Sequence, residues 1–193
     1  AANAEFQHRF DDCYELVHLR RRDVDAHGLG ERYQPVFAMF PGTDSFETKD
    51  LFTRHPTSPD LFRHVGRLDD IIVFLNGEKT NPTTFESEVA KHPKISAALL
   101  VGQQREEASL LVEPTDLDLS EQAKRDLIEE IWPIIGDSNT RCPQHAKVSK
   151  ARILIASNQM PFLRSVKGTI QRQPTMKLYK DIIDRFYAEE ILG

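Results

Sequence analysis

Three short clusters in this 193-residue chain hold side chains suited to an oxygen-rich, anionic ligand. The first is Thr48-Lys49-Asp50. An aspartate at a strand end can accept hydrogen bonds from both hydroxyls of a ribose. Read locally, a turn-capping carboxylate is the more ordinary role for it. The second is Gly66-Arg67-Leu68-Asp69-Asp70, followed by Asn76-Gly77-Glu78-Lys79 and Asn81-Pro82. A guanidinium fork suits phosphate and ribose oxygens, and the same residues also read as a surface salt-bridge cluster at a strand start. The third is Val166-Lys167-Gly168-Thr169-Ile170-Gln171-Arg172. A lysine beside a glycine, just before a helix, can be brought to an anion with few steric limits; a solvated loop lysine is the plain alternative.

The elements that must position these clusters follow from periodicity. The first third reads as short strands and loops. Tyr14–Arg20 alternates at period two, Pro35–Phe40 is a compact apolar run, and Pro41-Gly42 is a turn. Thr43–Arg63 reads as a surface loop tethered by Asp50-Leu51-Phe52, and Arg20-Arg21-Arg22 before Asp23 and Asp25 as a solvated strand end. From Gly66 the register changes. Asp70–Leu75 reads as a strand closed by the Asn76-Gly77 hairpin signal. Asn81-Pro82 opens a helix with Phe85 and Val89 inward, which His92-Pro93 ends. Ile95–Val101 and Ser109–Glu113 read as paired strands. The longest helix follows Ser120, with Leu127, Ile128, Ile131 and Ile134 on one face and Pro133 expected to kink it or bring it near its end. A strand at Arg152–Ala156, a polar loop to Lys167-Gly168, and a last helix with Met176, Tyr179, Ile182, Ile183, Phe186 and Tyr187 inward complete the chain. The fold class is therefore α+β: a unit of helices on a short sheet from Gly66 onward, preceded by a β-rich segment that reads as part of something larger.

Composition narrows the function. The chain is 39% hydrophobic and 28% charged with a net charge of −5, an ordinary globular balance. It has no basic stripe to bind nucleic acid and no apolar run of the roughly 20 residues that span a bilayer. Cys13 and Cys142 form no CxxC pair, and the seven histidines show no ligand spacing, so neither a disulfide framework nor a metal site is expected and a reducing cytoplasm is the default.

Taken in order and spacing, the clusters resemble the late core motifs of the adenylate-forming superfamily of acyl-CoA synthetases, luciferase and nonribosomal peptide synthetase adenylation domains. Thr48-Lys49-Asp50 is similar to that family's T-G-D motif, with Lys where the family has Gly. Gly66-Arg67-Leu68-Asp69 is similar to its G-R-x-D hinge motif, which closes on the helix reaching Glu86. Arg164-Ser165-Val166-Lys167-Gly168 resembles its closing lysine motif, although the family order is G-K with Arg three residues on, and here Arg172 lies five on. The texture is most similar to fungal synthetase-like proteins in which adenylation and carrier domains precede a reductase.

The resemblance implies a division into residues 1–66, a β-rich remnant of the large adenylation subdomain; 67–69, a hinge; and 70–193, a C-terminal lid subdomain. It implies activation of a carboxylic acid by Mg-ATP to an acyl-adenylate, then transfer to a phosphopantetheine thiol on a carrier domain. Lys167 is the implied catalytic cation, preferred to Lys177 and Lys180, which fall inside the last helix. Asp50 and Arg67 are the implied nucleotide-binding residues, Asp69 the hinge and Gly77 a wall of the pantetheine tunnel. The large N-terminal adenylation subdomain and a downstream carrier protein are the implied partners. The Ser/Thr- and Gly-rich triphosphate loop and the acyl pocket of the superfamily are not found in this sequence, so the chain alone is expected to be an inactive fragment. Two alternatives stay open: a non-catalytic docking module for a carrier protein, or the same lid from an enzyme that releases product by thioesterase chemistry.

Overall fold

The computed structural model describes residues 3–21 and 34–189. The chain divides into two compact units, residues up to Asp70 and residues from Ile71 on.

The first unit is an antiparallel four-stranded meander of β1 (Ala4–Phe10), β2 (Cys13–Leu19), β3 (Ser45–Arg54) and β4 (Phe62–Arg67), with a short helix α1 (Pro35–Met39) between β2 and β3. In β2 the alternation expected for a half-buried strand sends Cys13, Glu15 and Val17 inward, where Leu51 and Phe37 are also buried. The opposite face carries aromatic pairs: Phe6 stacks on Phe62 with centroids 3.7 Å apart, and Arg54 lies over Tyr14 and Phe62 at 5.2 and 5.5 Å.

Three expectations for this unit are corrected. Pro35–Phe40 is largely helical, because Pro35 suits the first helical position and Phe37 alone of that run needs burial. Thr43–Arg63 is not a surface loop: most of it forms β3, the turn after it and the start of β4, and the β-branched and aromatic residues Phe46, Thr48, Phe52, Thr53 and Phe62 outweigh its Pro, Ser and Asp content. Arg20 is no solvated strand end. Its guanidinium donates to the carbonyls of Phe40 (3.1 Å), Pro41 (2.9 Å) and Thr43 (2.8 Å) and lies over the Phe37 ring. Arg22, Asp23 and Asp25 lie outside the described residues.

The second unit is built on a three-stranded sheet ordered β7 (Ile95–Val101), β8 (Ala108–Pro114), β9 (Val148–Ile155), antiparallel between the first pair and parallel between the second. The parallel pair needs a crossover, supplied by α3 (Glu121–Thr140). Every residue of the central strand β8 is buried, as befits a strand covered on both faces. On one face Ala98, Leu100, Leu110, Val112 and Ile153 pack under α2 (Thr83–Val89) and α3. On the other, Ala97, Leu99, Val101 and Leu111 pack under Tyr179, Ile183 and Tyr187 of α4 (Arg172–Glu189). A two-stranded ribbon, β5 (Ile72–Val73) with β6 (Lys79–Thr80), precedes α2.

Helix α3 starts after Ser120 as expected, whereas in α2 Pro82 is the residue before the first helical one, Thr83. Ser120 Oγ accepts the Ala123 N–H at 3.2 Å at the start of α3, and Asn81 Oδ1 accepts the Thr83 N–H at 3.1 Å at the start of α2. The strand expected over Asp70–Leu75 is shorter: Leu68–Asp70 is a single 3-10 turn and only Ile72 and Val73 pair. Helix α3 runs on past Pro133 to Thr140. Its buried stripe is Leu127, Ile131, Ile135 and Ser138, with Ile128 and Ile134 at the edge. Among the described residues no helix is long and apolar enough to cross a membrane.

Candidate functional site

In the first unit, sheet register brings the predicted nucleotide-binding pair together. Asp50 and Arg67 are direct partners across β3 and β4, and Arg67 Nη1 donates to Asp50 Oδ1 at 2.9 Å. Arg67 Nη2 also reaches Asp69 Oδ2 at 3.4 Å, so the predicted hinge residue shares the same guanidinium. His64 Nε2 lies 3.9 Å from Asp50 Oδ1. All four side chains are exposed, so these ion pairs are weak and exchangeable.

The backbone that presents Asp50 is irregular. Lys49 has φ of +63°, the left-handed region where glycine is at home and other residues are strained. Lysine here adopts a conformation usual for glycine. The local register slips between Glu15 and Val17 of β2, and the slip is held by side chains. The fully buried Glu15 carboxylate accepts the Lys49 N–H at 2.8 Å and the Arg9 Nε–H at 2.7 Å. Thr48 Oγ1 donates to the Leu16 carbonyl and accepts the Asp50 N–H at 3.1 Å. Glu15 was not singled out in the sequence; the one signal it gives is a charged residue at an inward position of an alternating strand. The Lys49 ammonium bonds the Glu47 carboxylate, which raises the lysine pKa and lowers that of the glutamate.

In the second unit, Gly77 and Lys167 sit on turns of the same construction. The Gly77 N–H closes onto the Phe74 carbonyl at 3.0 Å with φ of +85°, and the Gly168 N–H closes onto Ser165 at 2.9 Å with φ of +81°. Each glycine follows the turn in a conformation that most side chains resist, and a Cβ added at either would meet open space. Backbone shape, not packing, requires them.

The segment carrying Lys167 was expected to be a polar loop. It is a tight hairpin. Arg164 bridges to Ile170, Ser165 N–H donates to Thr169 O at 2.9 Å, and Gln171 N–H donates to Leu163 O at 2.8 Å. The buried Thr175 of α4 takes the Leu163 N–H at 3.1 Å. Arg164 makes a two-pronged pair with the buried Glu113 carboxylate of β8 and donates to Ser96 Oγ at 3.0 Å. Hydrogen bonding to Glu113 raises the Arg164 pKa further. Arg172 pairs with Glu86 of α2 and donates to the Leu100 carbonyl at 3.1 Å. Val166 and Lys167 project from the tip into solvent. Of the three cations from Arg164 to Arg172, both arginines are committed to carboxylates, while no ion pair holds Lys167 among the described residues. Lys180 is paired with Asp184 at 2.5 Å on α4. No group of three or more His, Cys, Asp or Glu among the described residues is arranged to hold a metal.

These features define a small α+β domain, buried on both faces of its sheet, that presents glycine-closed turns at its surface. A family model described as AMP-binding enzyme C-terminal domain matches residues 69–191, and the chain belongs to that family. It is 38% identical over 187 residues to the carboxylic acid reductase of Neurospora crassa, covering 96% of this chain and 17% of that protein. The chain thus spans less than a fifth of the length of the curated relatives it matches, which include fungal adenylate-forming reductases. In fold it is similar to the adenylation domain of a carboxylic acid reductase from Segniliparus rugosus, solved with AMP and a co-purified carboxylic acid. The TM-score is 0.64 at 18% identity, over 92% of this chain and 28% of that one. The A-PCP didomain of carboxylic acid reductase from the same organism, solved with AMP, gives 0.61 at 19% identity, over 92% and 25%.

Proposed function

We propose that this chain is the closing lid, with an adjoining strip of the main body, of an enzyme that activates a carboxylic acid with ATP. The acyl-adenylate is then passed to a phosphopantetheine thiol on a carrier domain. In this reading residues 1–66 belong to the body, 67–69 form the hinge and 70–193 are the lid. Attack of a carboxylate on the α-phosphate joins two anions, and a cation delivered on closing answers the charge that builds there. Lys167 supplies it. The observation that carries the reading is that Lys167 stands exposed at the tip of an anchored hairpin, without a carboxylate partner among the described residues, between two arginines already neutralised. Asp50 accepts from the ribose hydroxyls, oriented by Arg67, and the exposed Arg67–Asp69 contact is weak enough to break as the hinge turns. Gly77, in its open turn, is the natural wall for an extended thiol arm. The triphosphate loop and the acyl pocket belong to other parts of the complete enzyme, so this chain on its own is expected to show no pyrophosphate exchange.

Lys167→Ala in the complete enzyme tests the reading. Acid-dependent pyrophosphate exchange should fall about 10²–10³-fold, the usual effect of removing one preorganised charge-stabilising donor. Transfer from a preformed acyl-adenylate to the pantetheine thiol should stay close to wild type. Exchange that stays within threefold of wild type in a folded variant would sink it and favour the docking-module alternative.

A further inference from the structure

We infer that Glu113 and Glu86 are positioning residues for adenylation, acting through Arg164 and Arg172 to fix where Lys167 is presented; this rests on the role given to Lys167 above. The lysine turn has few means of its own to hold a position. Its tip residues are exposed and its internal bonds are a handful of backbone contacts between Leu163 and Gln171. What fixes it lies at its two feet. At the entering foot, Glu113 sits fully buried in the central strand, and its carboxylate gathers both Nη groups of Arg164 and the Phe162 N–H at 2.7 Å. At the leaving foot, Glu86 of α2 takes Arg172 and also the Leu100 N–H, so a single carboxylate ties α2, β7 and the start of α4. The Glu86 carboxylate therefore binds sheet backbone as well as its arginine, and that of Glu113, itself in the sheet, binds backbone of the segment entering the turn. Arg164 lies one residue before the turn that Gly168 closes on Ser165, and Arg172 four residues after it.

The arrangement has two consequences for Lys167. Its backbone is referenced to the sheet at two points, so closing the domain delivers the ammonium to a defined place instead of a range of places. A displacement of the order of 1 Å at a reacting group costs about 10²-fold in rate. The two arginines are also prevented from competing for the phosphate, since each already faces a carboxylate.

The test uses Glu113→Gln and Glu86→Gln in the complete enzyme, measuring pyrophosphate exchange, thiol transfer from synthetic acyl-adenylate, and thermal unfolding. Each variant should lower the kcat of exchange by about tenfold to a hundredfold, leave the KM for ATP within about twofold, and leave thiol transfer near wild type. A purely structural role would depress both half-reactions together and overturn the inference. Because removing one partner of a buried pair can prevent folding, the double variant Glu113→Gln with Arg164→Met keeps the question answerable, as it leaves no buried charge without its partner. A folded double variant with wild-type exchange would likewise overturn it. Lys167→Ala is run beside them. If that variant is inactive while the glutamate variants are normal, only the positioning role falls; if Lys167→Ala is itself normal, both readings fall.

Discussion

Lys49 is held at φ of +63°, a conformation that costs a residue with a Cβ about 1–2 kcal/mol, yet it sits beside the carboxylate proposed to meet the ribose. The buried Glu15, accepting its N–H, is what keeps it there. Relief of this strain is measurable. Lys49→Gly should be about 0.5–1 kcal/mol more stable than Lys49→Ala in urea unfolding, since both lose the exposed contact to Glu47 and only glycine escapes the strain. Equal stability of the two would mean that the backbone relaxes once the lysine is gone. Lys167 poses the opposite case: its turn is unstrained because Gly168 takes the left-handed position.

At the scale of elements, α4 contributes through what it buries. Tyr179 packs against Phe162 and donates its hydroxyl to the Met160 carbonyl, just ahead of the lysine hairpin. Burial, with the Glu113 carboxylate adding to it, pushes its phenol up to about 12. A free tyrosine ionises near about 10, so the unfolded chain loses this proton first as pH rises. Stability from this group is therefore fully present below about pH 10 and is lost as pH climbs through about 12. Tyr179→Phe should flatten the fall in stability across that window in urea unfolding, leaving the part due to Tyr187, whose phenol burial also raises. An unchanged slope would show that the phenol ionises as freely in the folded domain as in the unfolded chain.

At the scale of the whole molecule, the two units differ in how much core each commands. The second has two hydrophobic clusters on opposite faces of one sheet, whereas the buried hydrophobic residues described in the first are Cys13, Val17, Phe37 and Leu51. Residues 71–193 produced alone should therefore unfold in one cooperative transition, and Leu110→Ala within them should cost about 2–5 kcal/mol. Residues 1–70 alone should show no such transition by circular dichroism. A cooperative melt of that short piece would mean that the aromatic face of its sheet stabilises it more than its buried side chains suggest.

Local sequence was enough to define most elements of the second unit, because turn chemistry and periodicity agreed there: Asn76-Gly77, Ser120 at the start of α3, the apolar run of β7 and the stripe of α4 are all short-range signals. It was also enough for family membership, since the ordered motifs fall on the segment that the family model matches. The first unit was harder to read. Its strands β3 and β4 are polar, and β3 is held on its other side by β2, which lies far back along the chain, so composition alone suggested a loop. Only the tertiary structure decided what surrounds the chemistry: that Asp50 faces Arg67, that the Lys49 backbone is left-handed, and that Glu113 and Glu86 hold the feet of the lysine turn. Those contacts join residues 17 to 86 positions apart, and no local pattern encodes a partner at that distance.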